Sequence, residues 1–389
     1  MSLFLLCLLL QDPPVPKEMP SLGPGEKLIA QVDAAPGVVW SLLGIAPDGT
    51  AAAWREFKGG KFSLVWNGGR VDGLDKVDPV CLWKEKNVPV FKVGKDGKAW
   101  IIEGATFLEG FESVGDPILS PSRKVVGYVA REGKSVYVVN GNNKTTVLAA
   151  QEQTLAFAHD DQRFIVATFQ TTTGSTTNSA LLGNDFKEIK GLLGGGPAGP
   201  VAFSPDGVMA YTLLGGGTVQ TTAGFTGPSF DKVAGLRFAG DGKTVGYLAE
   251  AKEGNKSKKF VVVNGVPGPT KYDDAVGYPG LSRDGKVAAF IAKKAGKWVV
   301  AQDTKFSDAF DAIRPRIGDV DQPVVSLDGR SIGFTAEKAG KTLLVVNNRV
   351  VSEEQSLSAP VLNFSGSTVS FGYVSKQSVI WKTVAIPGR

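Results

Sequence analysis

The chain has 389 residues, of which 42% are hydrophobic and 21% charged, which is enough apolar material for a large core and excludes global disorder. One histidine and two cysteines exclude most histidine-based catalysis, histidine-rich metal sites, zinc ribbons and a disulfide framework. The 43 Lys and Arg against 38 Asp and Glu give a net charge of +5, a small excess for this length.

The N-terminal segment contains eight consecutive apolar residues, Leu3 to Leu10. A membrane-spanning helix needs about 20, so this run is too short to span a bilayer and is typical of a secretory signal peptide. No Lys or Arg precedes it and no small-x-small cleavage site follows, so a hydrophobic tail is the alternative. The five prolines in Gln11 to Pro24 favour an extended tether. We expect an exported (periplasmic or secreted) protein, with a leader and tether at 1–24 and a folded domain at 25–389.

A short phrase recurs along the chain: an apolar strand, a Ser-x-Asp-Gly turn and a second apolar strand. Its clearest copies are Phe203 to Gly207, Leu281 to Gly285 and Val325 to Gly329. Including the degenerate copies, the Asp-equivalent position falls at Asp48, Glu85, Ser122, Asp160, Asp206, Asp241, Asp284, Asp328 and Ser365. Nine copies spaced by about 40 residues match the period of a four-stranded propeller blade.

The eighth repeat illustrates the strands of each unit. Pro323 to Ser326 and Ser331 to Ala336 are the first two strands, joined by the tight turn Asp328-Gly329. Thr342 to Val346 is the third strand, and an Asn-Asn turn leads into Val350-Val351. In other repeats this last turn is Asn-Gly, a strong hairpin signal, at Asn67, Asn140 and Asn264. Each repeat therefore reads as a meander of four antiparallel strands.

A second phrase follows the fourth strand: an aromatic residue or Leu, a polar pair, then Val or Ile. Its first positions are Leu74, Phe111, Phe186, Phe230, Tyr272 and Phe310. Because these side chains recur at one fixed point of the repeat, we expect them to pack between neighbouring blades rather than to stack on a ligand.

The two chain ends predict how the series of repeats is completed. The ninth repeat ends with Ser378 to Ala385 as its third strand and has no fourth strand of its own. Lys27 to Val32 forms a strand without a partner just before the first repeat. We expect it to complete the last blade, which removes open sheet edges. The predicted fold is an all-β, closed propeller of nine four-stranded antiparallel blades, with eight blades as the alternative if one repeat is irregular.

With these phrases, the chain resembles the bacterial WD-like, TolB-like propeller repeats. The resemblance rests on Ser-x-Asp-Gly-(Lys/Arg)-x-(Val/Ile)-x-Phe stretches, best seen at Ser282 to Phe290 and Ser326 to Phe334. It covers about residues 38–385 and implies the fold, but little about a ligand. Two features depart from the family: the α/β domain that precedes the TolB propeller is absent, and nine copies exceed its six blades.

Catalytic motifs are sparse. His159 lies at a predicted strand turn, and we interpret it as a solvated turn residue. Gly329 to Gly333 has the Gly-x-Ser-x-Gly spelling of a nucleophile elbow, but the elbow needs a helix after it and here both flanks are strands. The turn aspartates, one per blade, are expected to bind their own turn amides rather than a cation. Cys81 is expected to be a buried hydrophobe. We expect no metal and no cofactor.

Candidate binding residues lie in the second-to-third and fourth-to-first connections, which we expect on one face, called here the loop face. Its longer connections are Thr171 to Asn178, Gly191 to Pro200 and Arg314 to Pro323. Extra loop length on a rigid scaffold often carries function. The chemically most distinctive candidates are Arg314, Arg316, Asp319, Asp321, Lys256, Lys258 and Lys259.

The dense repeat signal beside few catalytic residues predicts a non-enzymatic binding or scaffolding propeller. We expect a monomer that binds a protein or an extracellular polymer, and no nucleic acid. The alternative is a hydrolase or lyase acting on glycan or peptide with carboxylates in the axial channel. A third interpretation is peripheral membrane contact through the lysine-rich loops.

Overall fold

The computed structural model describes residues 21–32, 36–120, 122–147, 152–157, 163–169, 180–183, 197–206, 208–213, 217–313, 323–354, 357, 361–362 and 366–386. These residues form nine antiparallel sheets, numbered here in chain order.

Sheet 1 contains β2 (Val39–Ile45), β3 (Ala52–Lys58), β4 (Lys61–Trp66) and β5 (Gly69–Leu74). Sheet 2 contains β6 (Lys76–Trp83), β7 (Pro89–Lys95), β8 (Lys98–Glu103) and β9 (Thr106–Phe107), with a single 3-10 turn at Glu85–Asn87. Sheet 3 contains β10 (Ser113–Val114), β11 (Ile118–Leu119), β12 (Val126–Glu132), β13 (Ser135–Asn140) and β14 (Asn143–Val147).

Sheet 4 contains β15 (Glu152–Phe157), β16 (Arg163–Phe169) and β17 (Ala180–Gly183). Sheet 5 contains β18 (Pro197–Phe203), β19 (Met209–Leu213) and β20 (Val219–Thr221). Sheet 6 contains β21 (Lys232–Phe238), β22 (Val245–Glu253), β23 (Lys256–Val263) and β24 (Val266–Pro267).

Sheet 7 contains β25 (Asp274–Leu281), β26 (Ala288–Lys294), β27 (Lys297–Gln302) and β28 (Lys305–Phe306). Sheet 8 contains β29 (Ala312–Ile313), β30 (Val324–Val325), β31 (Ile332–Lys338), β32 (Lys341–Val346) and β33 (Arg349–Glu354). Sheet 9 contains β34 (Val361–Leu362), β35 (Thr368–Ser375), β36 (Ser378–Ala385) and, at its edge, β1 (Glu26–Gln31).

The nine sheets match the nine repeats of the sequence, because each recurring turn separates the first two strands of one sheet. The turn's polar side chains hold it closed. Ser282 Oγ donates to Asp284 Oδ1 over 2.8 Å and accepts the Val287 amide over 3.0 Å. Ser326 and Asp328 form the same bond over 2.7 Å in sheet 8. The Lys286 amide donates to Asp284 over 3.2 Å and the Arg330 amide to Asp328 over 3.0 Å, so the expected role of the turn aspartates is confirmed at these two turns.

The aromatic phrase packs between sheets, as expected. Leu74 lies between sheets 1 and 2, Phe111 between sheets 2 and 3, Phe230 between sheets 5 and 6, Tyr272 between sheets 6 and 7, and Phe310 between sheets 7 and 8. Phe186 lies outside the described residues. The core is therefore a series of apolar clusters, each shared by two neighbouring sheets.

First strands of neighbouring sheets lie closest to one another. They contact each other in sequence from β11 to β34, and β2 contacts β6. A Cβ atom on Gly235 would lie 2.2 Å from the Gly277 carbonyl oxygen, and Gly235 has a φ of 61°. Glycine is needed where these first strands approach, because a side chain there would meet backbone. The result is a propeller-like stack with its first strands on the inside.

Two predicted connections differ from the structure. β18 begins at Pro197, inside the predicted connection Gly191 to Pro200. Arg314 to Pro323 was expected to join sheets 7 and 8. However, Ile313 before it already pairs with Ala336 of β31, and Val324 after it pairs with Gly333 of the same strand. This segment therefore interrupts the first strand of sheet 8 instead of joining two sheets.

The predicted pairing of the two chain ends is confirmed. β1 pairs antiparallel with β36, with Glu26 opposite Lys382 and Gln31 opposite Ser378. Sheet 9 in turn packs on sheet 1 through an apolar cluster that contains Val32 and Trp54.

Candidate functional site

The four candidates Arg314, Arg316, Asp319 and Asp321 lie outside the described residues, as does His159. The nearest strand residues on either side of the four loop candidates are Ile313 and Val324, which both pair with β31 in sheet 8. The assignment of these four residues to a binding surface remains a prediction.

The lysines of β23 are described, and two of them are neutralised within the chain. Lys258 Nζ lies 2.6 Å from Asp273, and Lys259 Nζ lies 2.6 Å from Asp274. The hydrogen bond and charge of Lys258 lower the pKa of Asp273. Lys256 is exposed at the first position of the strand. The positive patch is thus weaker than the sequence alone suggests.

Other lysines of the second-to-third hairpins lie over aromatic rings. Lys293 is 5.6 Å from the ring centre of Trp298, and Lys294 is 3.6 Å from that of Phe306. In sheet 2, Lys95 lies 5.0 Å from Phe107. Such cation–π contacts contribute about 0.5–1 kcal/mol each at exposed sites and fix the side chain over its own sheet.

Acidic residues of the fourth-to-first connections hold these hairpins in place. The Asp96 amide donates to Asp75 over 2.8 Å, the Lys252 amide to Asp231 over 2.7 Å, and the Ala339 amide to Asp311 over 2.8 Å. Asp311 also binds Lys297 of the preceding sheet over 2.6 Å, and Asp75 binds Lys61 in the same way. We call this arrangement the hairpin clasp. It brings both kinds of connection together at the loop face, as expected.

Two second strands, β3 and β7, carry a cation directly after a buried aromatic residue, and each cation reaches the first strand of the next sheet. The cation is Arg55 after Trp54 and Lys92 after Phe91. Sheets 3, 6 and 7 have Val129, Leu248 and Ile291 at the same position.

These two cations are bound by neighbouring first strands. Arg55 Nη1 donates to the Val77 carbonyl over 2.9 Å. Lys92 Nζ lies 2.9 Å from Asp116 and 3.3 Å from Asp78, and Asp78 also binds Lys76 over 2.7 Å. We call Arg55, Lys76, Asp78, Lys92 and Asp116 the inner charged cluster.

Asp116 reaches Lys92 because the first strand of sheet 3 is interrupted. Val114 pairs with Ala130 and Ile118 with Gly127 of β12, and the Gly115 amide still donates to the Val129 carbonyl over 2.8 Å, so Asp116 and Pro117 stand outside the ladder. Bulges of this kind commonly re-aim a side chain.

Both ends of the Lys92–Asp78 pair are held in their charged forms. Burial opposes the charge on Asp78, but its contacts with Lys76 and Lys92 outweigh burial and lower its pKa. Burial likewise opposes the charge on Lys92, but Asp116 and Asp78 outweigh it and raise its pKa. A general acid near neutral pH needs a raised carboxyl pKa, and a nucleophilic lysine needs a lowered amine pKa. The environment of Asp78 lowers its carboxyl pKa and that of Lys92 raises its amine pKa, which is the opposite of what each of these roles requires.

A cavity of about 410 Å³ adjoins the cluster in sheet 3. Its lining is Ser113, Val114, Gly115, Asp116, Ile118, Val129 and Arg131. Asp116 belongs to both the cavity and the cluster. The lining joins an apolar wall to one acidic and one basic side chain, a combination that suits binding a polar group beside an apolar one.

Sequence reasoning missed this site. The available signal was the Arg or Lys directly after the buried aromatic residue of repeats one and two, where the same position is aliphatic in repeats three, six and seven.

Among the described residues, no group of three or more His, Cys, Asp or Glu side chains is placed to hold a metal ion. No helix in the same part of the chain is long and apolar enough to cross a membrane. Cys81 is buried, as expected, and burial raises the pKa of its thiol.

No family model and no curated protein sequence matches the chain. Among solved structures it is similar to a eukaryotic initiation factor, with 11% identity and a TM-score of 0.48 over 84% of this chain and 93% of that one. It is similar to the Dos1 propeller, with 8% identity and a TM-score of 0.44 over 92% and 93% of the two chains. It is also similar to TolB from Acinetobacter baumannii, with 11% identity and a TM-score of 0.32 over 88% of this chain and 83% of that one. None of these TM-scores reaches 0.5, so the fold rests on the sheets described above, and the comparisons assign no ligand.

Proposed function

We propose that the nine sheets are the blades of a closed propeller that acts as a non-enzymatic binding or scaffolding module. Closure is supported by β1, which extends sheet 9, and by the apolar cluster that joins sheet 9 to sheet 1. Asn67 adds a polar link, because its Nδ2 donates to the Ile29 carbonyl of β1 over 2.9 Å.

The observation that carries the binding role is the inner charged cluster beside the cavity. Lys76 and Lys92 pair with Asp78 and Asp116, whereas Arg55 binds a backbone carbonyl, so the cluster keeps an excess of one positive charge. Asp78 and Lys92 are held in their charged forms at neutral pH. Rigid, pre-paired charges can orient a bound segment without taking part in proton transfer. The hairpin clasps of sheets 2, 6 and 8 tie the connections of the loop face to its hairpins, and pre-organisation of this kind lowers the cost of binding a partner.

We propose an exported protein whose partner is another protein or an extracellular polymer. The apolar run Leu3 to Leu10 supports export. The cavity lining accepts polar groups of either sign, since it contains both Asp116 and Arg131. Arg314, Arg316, Asp319 and Asp321 are retained as proposed contacts on sequence grounds.

The test is a capture experiment with cell-envelope extract and immobilised protein lacking residues 1–20. Asp116→Asn and Arg131→Gln are expected to weaken capture of a partner at least tenfold in protein that still unfolds cooperatively in urea, because loss of the Asp116–Lys92 contact lowers stability without unfolding the chain. Lys305→Gln, at an exposed position of the outer strand β28, is the control and should leave both capture and the urea midpoint unchanged. A parallel Ala scan covers the four loop residues. Equal capture by wild type and all site variants would discard this surface.

The enzymatic alternative keeps one supporting observation: Asp78 and Asp116 lie 3.3 Å and 2.9 Å from the same Lys92 ammonium group, and Asp116 lines the cavity. Glycosidases use two carboxylates about 5–9.5 Å apart, one of them a general acid with a raised pKa. The lowered pKa of Asp78 disfavours that role. Turnover of a glycan or peptide library that is lost in Asp78→Asn and in Asp116→Asn would establish the enzyme.

Membrane attachment through the lysine loops is disfavoured because Lys258 and Lys259 are paired within the chain. The corresponding measurement is sedimentation with anionic vesicles at low and high salt, and we expect the protein to stay in the supernatant.

A further inference from the structure

β1 is held in sheet 9 by contacts that do not depend on which chain supplies it. Its ladder with β36 is extended at both ends, where the Thr383 amide donates to the Gly25 carbonyl over 3.0 Å and the Val32 amide donates to the Gln377 carbonyl over 2.7 Å. Ala30 and Val32 are buried in the cluster shared with sheet 1. The seat beside β36 therefore recognises an extended segment by its backbone and by small apolar side chains.

The covalent link between β1 and the rest of the fold is short. Seven residues, 32–38, separate the last residue of β1 from the first residue of β2. Fully extended, they reach at most about 25 Å. Hinge loops that are short and strained favour exchange of a terminal element between identical chains, and a seven-residue link limits where β1 can pair.

An exposed apolar row begins where this link enters sheet 1. Val39, the first residue of β2, is 70% exposed and lies directly opposite Phe57, which is 39% exposed. The Phe57 ring is 4.8 Å from that of Phe62 on β4. The row runs across three neighbouring strands at the loop face, so these apolar side chains lie together beside the point where the link enters sheet 1.

We propose that two copies of this chain exchange β1, so that the strand of each copy fills the seat of the other. The exchanged dimer keeps every β1–β36 contact of the monomer, and no covalent bond is made or broken. Exchange requires Val39 of each copy to lie within about 25 Å of the other copy's seat, because the link reaches no further. The apolar row of one copy then packs against the same row of the other, as a self-complementary two-fold interface requires. This inference goes beyond the monomer expected from the sequence.

A disulfide test reports the exchange directly. Gln31 and Ser378 are opposite one another in the β1–β36 ladder. One full-length chain carries Gln31→Cys and a second carries Ser378→Cys, both with Cys7→Ser. On mixing under oxidising conditions, we expect a covalent heterodimer on a non-reducing gel. The double variant in one chain is the geometric control and should form an intrachain bond. An intrachain bond in the control without any heterodimer would overturn the proposal.

Light scattering after size exclusion separates exchange from simple surface association. Val39→Asp is expected to raise the dimer dissociation constant at least tenfold, and Val266→Asp, a 69% exposed valine on β24, should leave it unchanged. Six added Gly and Ser residues between Gly37 and Val38 should shift the equilibrium to monomer by a similar factor, because a longer link relieves the constraint on pairing within one chain. A chain that is monomeric at all concentrations, or a dimer indifferent to the insertion, would refute exchange.

Discussion

Replacing Lys92 by Met tests the inner charged cluster. The change keeps the length of the side chain and removes its charge. Lys92 and Asp78 expose only 22% and 14% of their side chains, so water replaces the lost contacts poorly. Charged hydrogen bonds contribute about 1.5–3 kcal/mol each, and Lys76 still binds Asp78 in the variant. We expect a loss of about 2 kcal/mol in the free energy of unfolding at neutral pH.

Urea unfolding followed by tryptophan fluorescence measures this loss. With a slope of about 3 kcal/mol/M, 2 kcal/mol lowers the midpoint by about 0.7 M. The matched control is Lys98→Met in the same sheet. Lys98 is 48% exposed and lies 3.4 Å from Glu132, so its removal should cost about 0–1 kcal/mol.

The pH dependence of the free energy of unfolding gives the result that would refute the coupling of Asp78 and Lys92. Because the pKa of Asp78 is lowered in the folded state, its ionised form stabilises the fold above the unfolded pKa of about 3.9. That contribution is lost as the pH falls through the folded pKa. The difference in the free energy of unfolding between wild type and Lys92→Met should therefore reach its whole value at pH 7 and decrease below about pH 4. A difference equal to that of Lys98→Met, or one independent of pH, would show that Asp78 and Lys92 are not coupled in this way.

Three further changes test the packing between sheets. Phe111→Ala removes a buried ring between sheets 2 and 3 and should lower the free energy of unfolding in urea by about 3–5 kcal/mol. Phe57→Ala, at an exposed ring, should lower it by under about 1 kcal/mol. Similar losses in the two variants would contradict the placement of Phe111 between the sheets. Gly235→Ala places a Cβ 2.2 Å from a carbonyl oxygen at a positive φ, so we expect at least about 2 kcal/mol of destabilisation, and a wild-type midpoint would exclude the close approach. In a Cys7→Ser background, Cys81 should react with a thiol reagent only as fast as the protein unfolds, because it is buried and burial raises its pKa; rapid labelling of the native protein would contradict this.

Local chemistry explains why the repeats were predictable. The turn at Asp328-Gly329 needs only residues that are adjacent in sequence, and the strands predicted on both sides of it begin within one or two residues of β30 and β31. The completion of sheet 9 by β1 was also predictable, because a surplus strand at one end matched a missing strand at the other.

The sequence by itself determined the number of repeats, their turns, the packing of the aromatic phrase and the pairing of the chain ends. Only the tertiary structure decided which charges meet. Lys92 faces the next sheet, and Asp116 reaches it through an interruption in that sheet's first strand. Lys258 and Lys259 appeared as a basic patch until the fold placed Asp273 and Asp274 beside them. Turns and strand periods arise from neighbouring residues, and so the sequence pattern specifies them. Ion pairs depend on how separate strands and sheets stack, and the sequence pattern does not specify the distance between two charged groups on different strands.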